Sequence, residues 1–424
     1  MNSNNKILIT GLALFSMVFG AGNLILPPFL GFKAGADWIW VVLGFFLTAV
    51  VVPVLAIATH AKLQGTLADF GAKISPKFGL VYSVIMYLIA VALPTPRTAA
   101  VTHEIGIAPF FDSPAILTST IYFTLVLIFA WNRSRILDTL GKYLTPLIIV
   151  ILLAIIAVAI FVPEIGSMTQ SYNHPISKGL FEGYQTYDAI GGAVAGGVLI
   201  VSLKLKFPNL DFKAYRSLIY KSGLLAGGGL LLIYAGLIYA GAAYQDQFTS
   251  DANNVEVLVE LAQETLGVLG HSALAVLVSL ACFSTAVAIV TGTSDFVTSL
   301  VGGSDRVFRL TAIVASLLGL LMGQLNVSII LDIGLPAIHL IYPVTICLIL
   351  LNLSPERFAS KKVFISVVSV VVVFSVVDIF KYFLGDGFSA QVDAYIPFSE
   401  QYLGWVLPGL IAFVSANLSQ KKTA

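Results

Sequence analysis

Charged residues are scarce in this chain of 424 residues: Asp, Glu, Lys and Arg make up only 11% of it, whereas hydrophobic residues make up 58%. Soluble domains carry about 25% charged residues, so the composition excludes an ordinary soluble domain. The net charge is only +1 and no basic stripe occurs, which argues against nucleic-acid binding. The only two cysteines, Cys282 and Cys347, lie in separate apolar segments. They are interpreted as buried small side chains rather than as a disulfide or a metal site.

Long apolar runs, in contrast, are abundant. Twelve segments of roughly 17–25 residues or slightly more are long enough as helices to cross a hydrocarbon core of about 30 Å. The first is interpreted as a retained helix rather than a secretory signal, because apolar sequence resumes directly after its small residues. The predicted spans are 7–30, 38–59, 78–100, 115–132, 143–162, 180–203, 217–243, 268–300, 306–325, 331–352, 363–384 and 402–418.

The basic residues give these spans an orientation. Lys and Arg concentrate in the termini and in alternate loops, which the positive-inside rule places in the cytoplasm. The exceptions are Lys33, Arg97, Lys178 and Lys381. The acidic segment 244–264, which has no base, suits the outer face, and its helical spacing of apolar residues predicts a short surface helix. The charges therefore predict a multi-pass membrane protein with both termini in the cytoplasm.

Two spans contain residues that interrupt a helix. Span 1 contains "FGAGN" (19–23), followed by two prolines, and span 6 contains "GYQTYDAIGGAVAGGV" (183–198). These spans open two successive blocks of five, and because five is odd, the second block has inverted topology. Interrupted segments at matching positions point to the binding site of a transporter. The predicted organisation is a first inverted repeat at 7–162, a second at 180–352 and two further helices at 363–418.

A break at mid-membrane leaves backbone N–H groups unpaired at the start of one half-helix and C=O groups unpaired at the end of the other. The N–H end suits a carboxylate and the carbonyl end suits a cation or an ammonium, so one break can receive both ends of an amino acid. Gly196 and Gly197 are interpreted as residues that permit close helix packing. The same interpretation does not explain the run 20–23 of span 1, because close packing does not require an Asn. Asp188, the one acid placed deep inside a span, is either a functional carboxylate or an N-cap of the second half of span 6.

Four segments are distinctive: "LITGLALFSMVFGAGNLILPPFLG" (8–31), "PRTAAVTHEIGIAPF" (96–110), "GYQTYDAIGG" (183–192) and "ACFSTAVAI" (281–289). They resemble the bacterial branched-chain amino acid:cation symporter family of the amino acid–polyamine–organocation superfamily, and the likeness extends over essentially the whole chain. The resemblance implies an all-α membrane protein of twelve transmembrane helices, with the LeuT-type 5+5 inverted repeat and broken helices 1 and 6. It implies a secondary transporter of the bacterial cytoplasmic membrane, not an enzyme. Such a protein imports leucine, isoleucine and valine with sodium, or in some members a proton, by alternating access.

The resemblance also implies where substrate and sodium bind, with no other cofactor. The backbone N–H groups of Gly20, Ala21 and Gly22 in span 1 would bind the substrate carboxylate, and span 6 would surround the amine and side chain. On a helix, residues at i+3 and i+4 stack over the carbonyl of residue i, so Ala281, Ser284 and Thr285 of span 8 can form one oxygen cluster. Without the broken span 1 beside them, Ser and Thr hydroxyls of a membrane helix would be interpreted as bonding back to their own helix, as they usually do. The implied substrate residues are Gly20, Ala21, Gly22, Asn23, Tyr184, Thr186, Tyr187 and Asp188, and the implied sodium ligands are Ser16, Phe19, Ala281, Ser284 and Thr285.

Sodium is favoured over protons. Proton-coupled relatives can place a Lys in span 5, whereas span 5 here has only Lys142, at its cytoplasmic edge. Sodium-coupled relatives use an Asn of span 7 for a further sodium beside the substrate; span 7 here has no Asn or Asp in its membrane part, which leaves Asn23 as a ligand. Arg97 is placed toward the outer end of span 3, where it gates the vestibule, pairs with Glu104 or snorkels. The alternatives are a proton-coupled carrier of another neutral amino acid and, with less support, a channel or an intramembrane enzyme.

Overall fold

The computed structural model describes residues 3–131, 136–161, 168 and 172–421, and within them the secondary structure is helical, with no β-strand. The helices are α1 (Ser3–Val18), α2 (Ala21–Ala34), α3 (Trp38–Phe46), α4 (Val52–Leu63), α5 (Ala68–Gly71), α6 (Pro76–Ala92), α7 (Pro94–Val101), α8 (Ala115–Ala130), α9 (Ile136–Thr139), α10 (Thr145–Phe161), α11 (Pro175–Gln185), α12 (Asp188–Lys206), α13 (Phe212–Ala243), α14 (Asn254–Leu266), α15 (Gly270–Leu300), α16 (Asp305–Met322), α17 (Val327–Leu353), α18 (Lys361–Leu384), α19 (Asp386–Tyr395) and α20 (Val406–Lys421).

Each of the twelve predicted spans coincides with one helix or with two consecutive helices. Spans 1, 2, 3 and 6 correspond to α1–α2, α3–α4, α6–α7 and α11–α12; the others correspond to α8, α10, α13, α15, α16, α17, α18 and α20. Eight stretches of continuous helix in the described residues are long and apolar enough to cross a bilayer, and α8 and α20 are shorter apolar helices. The predicted surface helix is α14. Val162, the last residue of the first predicted repeat, and the predicted cytoplasmic residues Arg133, Arg135 and Lys422 lie outside the described residues.

The third span bends at Leu93, between α6 and α7. Pro94 and Pro96 follow this residue, and a proline both lacks the N–H group and restricts the residue before it. The Thr95 hydroxyl donates to the carbonyl oxygen of Ala90 at 2.8 Å, which satisfies one acceptor that the bend frees. Beyond α7 the span continues as a π-helical turn to Ile107. The predicted end at residue 100 is therefore seven residues short.

Two helix pairs approach closely through glycines. A Cβ atom on Gly31 of α2 would lie 1.9 Å from a backbone oxygen of α13, and one on Gly241 of α13 would lie 1.9 Å from a backbone oxygen of α2. In the same way, a Cβ on Gly44 of α3 would lie 2.0 Å from a backbone oxygen of α11, and one on Gly179 of α11 would lie 2.2 Å from α3. Any side chain at these positions would push the backbones apart, so the glycines hold α2 against α13 and α11 against α3.

The packing interpretation of the later glycines is confirmed for one of them. A Cβ on Gly196 would lie 2.4 Å from the ring of His60, whose imidazole lies 2.8 Å from the carbonyl oxygen of Ala193. At Gly197 the nearest atom is the Tyr87 hydroxyl at 3.4 Å, an ordinary contact distance, so packing does not require glycine there.

Candidate functional site at the two helix breaks

The first break lies where "FGAGN" predicts it. α1 ends at Val18, Gly20 is extended with φ −125° and ψ −157°, and α2 begins at Ala21. The N–H group of Gly20 donates to Asn23 Oδ1 at 3.3 Å, so Asn23 binds the residue that precedes its own helix. The N–H groups of Ala21 and Gly22 lie in the first turn of α2, where the helix supplies no acceptor. Of the three predicted carboxylate donors, Gly20 is thus engaged by Asn23, and the other two point out of the helix end.

The second break separates α11, which ends at Gln185, from α12, which begins at Asp188. Tyr187 between them has φ +64°, a left-handed conformation that is uncommon for a residue with a side chain. The hydroxyl of Thr186 accepts from the N–H of Asp188 at 3.3 Å and donates to the carbonyl of Gly183 at 2.8 Å. Thr186 therefore satisfies a backbone group on each side of the break.

Side chains join the two breaks. Asn23 Nδ2 donates to the carboxylate oxygens Oδ1 and Oδ2 of Asp188 at 2.7 and 2.9 Å. The hydroxyl of Tyr234, on α13, donates to Asp188 Oδ2 at 2.8 Å and also contacts Asn23 Nδ2. Asp188 is only 1% exposed. Its carboxylate binds groups from two other helices rather than the N–H groups of α12, which favours the functional interpretation over the N-cap.

Beside these residues lies a small cavity with a volume of about 20 Å³. Such a volume holds about one water molecule. The predicted residues Gly20, Ala21, Asn23, Thr186 and Tyr187 line it, together with Arg97. Tyr184 lies away from the cavity lining and packs instead against Tyr342 of α17, with ring centroids 4.9 Å apart.

Arg97 lies in this site, which the sequence interpretation missed. It is 2% exposed, its Nη1 donates to the carbonyl of Gln185 at 2.9 Å, and its guanidinium carbon lies 4.9 Å from the centre of the Tyr187 ring. The pairing with Glu104 is wrong, because these two described residues form no ion pair; Glu104 Oε1 instead accepts from a backbone N–H of α17 at 3.2 Å. Snorkelling is excluded by burial. Since the third span extends to Ile107, Arg97 lies ten residues inside it rather than near its end.

The structure also brings the five predicted oxygen ligands together. The Ser284 hydroxyl donates to the carbonyl oxygens of Ser16 and Ala281 at 2.7 and 2.9 Å, and the Thr285 hydroxyl lies 3.2 Å from the carbonyl oxygen of Phe19. All five residues are buried. The contact of Ser284 with Ala281 lies within α15, but both hydroxyls also reach the free carbonyl end of α1, so bonding within their own helix does not account for them fully. Oxygen atoms of this kind suit a hard cation.

A second buried acid lies outside this site. Asp378 of α18 is 2% exposed, so Asp188 is not the only buried acid within the predicted spans. One turn later, Lys381 pairs with Asp393 at 2.5 Å and donates to the carbonyl of Ser399 at 2.7 Å. The valine-rich sequence around Asp378 is typical of a lipid-facing segment, so the sequence does not predict the contact of Lys381 with Asp393 and Ser399.

Sequence comparison gives matches over nearly the whole chain. A family model described as branched-chain amino acid transport protein matches residues 3–423. The branched-chain amino acid transport system 2 carrier protein of Pseudomonas aeruginosa is 34% identical over 419 residues, covering 97% of this chain and 95% of the relative. The branched-chain amino acid permease BraB of Bacillus subtilis is 32% identical over 426 residues, with 96% and 94% coverage.

Solved structures are similar in fold at low sequence identity. The nucleobase-cation-symport-1 family transporter Mhp1, in a closed conformation, superposes with a TM-score of 0.63 at 14% identity, covering 98% of this chain and 93% of its own. A Na⁺-coupled sialic acid symporter gives a TM-score of 0.61 at 15% identity, with 97% and 89% coverage. These similarities, together with the two broken helices, confirm the LeuT-type fold.

Proposed function

The chain belongs to the branched-chain amino acid transport protein family, and from this premise we propose that it imports leucine, isoleucine and valine together with sodium. The family consists of transport proteins and not of enzymes. The proposed location is the bacterial cytoplasmic membrane, with both termini in the cytoplasm, as the distribution of Lys and Arg predicts.

The observation that supports sodium is the cluster of five oxygen atoms at the end of α1. It contains three backbone carbonyls and the hydroxyls of Ser284 and Thr285, and the hydroxyl contacts measure 2.7 to 3.2 Å. Without a cation the hydroxyls donate to the carbonyls; with one bound, all five oxygens can point lone pairs at it. The alternative cation, a Lys of span 5, has no support, because Lys142 is paired with Asp138 at 2.7 Å and is 40% exposed.

The substrate is proposed to bind between the two breaks. The first turn of α2 offers the N–H groups of Ala21 and Gly22 to a carboxylate, and the helix dipole adds positive potential there. Asp188, whose carboxylate accepts from the cavity-lining residue Asn23, is proposed to attract the ammonium group. The cavity of about 20 Å³ is too small for leucine, so the site must open for the substrate to enter.

Alternating access is supported by features on either side of this closed site. Toward the proposed outer face, the rings of Phe181, His339 and Tyr402 stack, with centroid distances of 5.4 Å for Phe181–His339 and 4.3 Å for His339–Tyr402. Toward the proposed inner face, a cavity of about 140 Å³ opens between α12 and α15, beside Gly197 and Gly292. We propose that the aromatic stack closes the outer path and that the inner cavity belongs to the release path.

The glycine contacts support the proposed division into repeats at 7–162 and 180–352. In such an arrangement, spans 1 and 6 are equivalent, and so are spans 2 and 7. α2 of span 1 packs on α13, which is span 7, and α11 of span 6 packs on α3, which is in span 2. The broken helix of each block therefore packs through paired glycines on the second span of the other block, as an internal pseudo-twofold relationship requires.

The test is uptake of labelled leucine by the purified protein in proteoliposomes. An inward sodium gradient is expected to drive accumulation, whereas an inward proton gradient at equal sodium on both sides is not. Counterflow of labelled against unlabelled leucine is expected, because a carrier exchanges its substrate and a channel does not. Accumulation driven by protons alone would refute sodium coupling, and absence of counterflow would refute the carrier itself.

The runner-up is proton-coupled transport of another neutral amino acid. One observation favours it: Asp188 is a buried carboxylate in a hydrogen-bonded network beside the cavity, which is a suitable position for a proton relay. The same proteoliposomes with an inward proton gradient, tested with alanine and serine as well as with leucine, distinguish the two functions.

A further inference from the structure

Arg97 is a buried cation whose donors are mostly unmet. A guanidinium has five N–H donors, and here Nη1 binds one carbonyl, that of Gln185, at 2.9 Å. The Nε atom is buried and has no hydrogen-bond partner among the residues that the structure describes. The ring of Tyr187 supplies a cation–π contact at 4.9 Å but accepts no conventional hydrogen bond.

Arg97 also has no ion pair with an acid in the described part of the chain. The acid of the same site, Asp188, has its own donors in Asn23 and Tyr234. A charge that is buried inside a membrane protein without an opposite charge beside it is unfavourable, and such residues usually mark a ligand site or an ion path. The site thus contains a positive and a negative group that do not neutralise each other directly.

The backbone leaves space for this guanidinium. A Cβ on Gly22 would lie 1.9 Å from Arg97 Nη2, so only glycine at this position lets the guanidinium reach the first turn of α2. That turn is also where the N–H groups of Ala21 and Gly22 point. A carboxylate at this position would meet both backbone donors and a guanidinium, which binds carboxylates through two parallel hydrogen bonds.

From these contacts we propose that Arg97 binds the substrate carboxylate, and that Arg97 and Asp188 recognise the two opposite charges of a zwitterionic amino acid. The inference rests on the proposed function, since it requires an amino acid substrate. It makes Arg97 a binding residue that discriminates amino acids from amines and alcohols of the same shape. When the substrate is absent, the Gln185 carbonyl and the Tyr187 ring hold the guanidinium in place.

The test is equilibrium binding of leucine and of leucinol, which has the same side chain and amine but no carboxylate. Wild type is expected to prefer leucine strongly. In Arg97→Gln the affinity for leucine should fall by about 30-fold or more, the loss expected when one partner of a buried charge pair is removed, and the affinity for leucinol should hardly change. The ratio of the two affinities should therefore collapse toward one. Arg97→Lys, which keeps the charge but loses the two-pronged geometry, should fall between the two.

Arg309→Gln is the matched control, because this arginine is exposed at the start of α16 and the substitution is the same. It should leave both affinities unchanged. A folded Arg97→Gln protein that keeps the wild-type ratio of leucine to leucinol, or that loses both ligands equally, would show a merely structural arginine and overturn the proposal. Failure of wild type to bind leucine would refute the proposed function instead, so the two failures are distinguishable.

Discussion

Asn23 and Asp188 are 165 residues apart in sequence, yet the Asn23 amide donates to both oxygens of the Asp188 carboxylate, at 2.7 and 2.9 Å. Asn23 lies in the first turn of α2 and Asp188 is the first residue of α12, so this contact joins the two half-helices at their N-terminal ends. The carboxylate also accepts from Tyr234 at 2.8 Å. Asn23 and Tyr234 thus both donate to the Asp188 carboxylate, which lies between the positive ends of two helix dipoles.

Asp188→Asn is expected to reduce leucine transport by at least about tenfold, because hydrogen bonds to a charged group contribute roughly 1.5–3 kcal/mol. The new amide group would turn an N–H donor toward the donors of Asn23 or Tyr234, and the attraction for an ammonium group would be lost. Uptake and equilibrium binding should be measured beside Asp251→Asn, an exposed acid in the segment before α14. Transport at the wild-type level in Asp188→Asn would favour the N-cap interpretation.

Ser284→Ala with Thr285→Val should raise the sodium concentration needed for half-maximal leucine uptake by about tenfold or more, because it removes two of five proposed oxygen ligands. Folding should persist, since both replacements are apolar. The matched control is Thr293→Val with Ser294→Ala, on the same helix and equally buried, where the Ser294 hydroxyl bonds back to Val290 at 2.7 Å. Unchanged sodium activation in the first double variant would remove the cation site from this cluster.

Gly22→Leu should abolish leucine binding. Its Cβ would lie 1.9 Å from Arg97 Nη2 and 3.2 Å from the backbone of Thr186, so the side chain displaces the guanidinium and fills the approach to the helix end. Gly228→Leu is the control, because its Cβ meets no atom within 4 Å. Yield, Tm and leucine binding should be compared for both. A well-folded Gly22→Leu protein with normal leucine affinity would contradict the proposed carboxylate site at this break.

Gly44→Val should lower the free energy of unfolding by about 1–3 kcal/mol or more, as overpacking does, since its Cβ would lie 2.0 Å from a backbone oxygen of α11. The measurement is Tm in detergent, with Gly228→Val as the control. The affinity of the folded protein for leucine should fall as well, because α11 ends at the second break. Equal Tm values for Gly44→Val and Gly228→Val would show that the two backbones can separate without loss.

Much of the site could be predicted from the sequence because local signals identify it. "FGAGN" contains residues that a helix disfavours, and the positions 281, 284 and 285 place three oxygens on one helix face, so both signals need no knowledge of neighbouring helices. Tyr234 is different. It is one of 16 tyrosines, and its role depends on how α13 packs against α2 and α12, which no local pattern encodes.

Arg97 shows a second limit of prediction. Its depth in the membrane depends on the π-helical turn that extends the third span to Ile107. Hydropathy alone ends the span just before three consecutive polar residues, Thr102, His103 and Glu104. The burial of Asp378 could not be predicted because the surrounding run of valines suggests lipid contact, although the acid is buried against protein.

The glycine contacts have a mechanical consequence. Because the backbones are in contact at Gly31, Gly44, Gly179 and Gly241, we expect α2 with α13, and α3 with α11, to move as rigid pairs. We then expect rotation to occur mainly at the two interruptions, where Gly20 is extended and Tyr187 is left-handed. α1 has 16 residues and is therefore a lever about 24 Å long. A turn of about 10° at Gly20 moves the far end of α1 by about 4 Å, whereas Ser16, which contacts Ser284 and lies about 6 Å from Gly20, moves by only about 1 Å. A displacement beside Ser284 is therefore amplified roughly fourfold at the far end of α1.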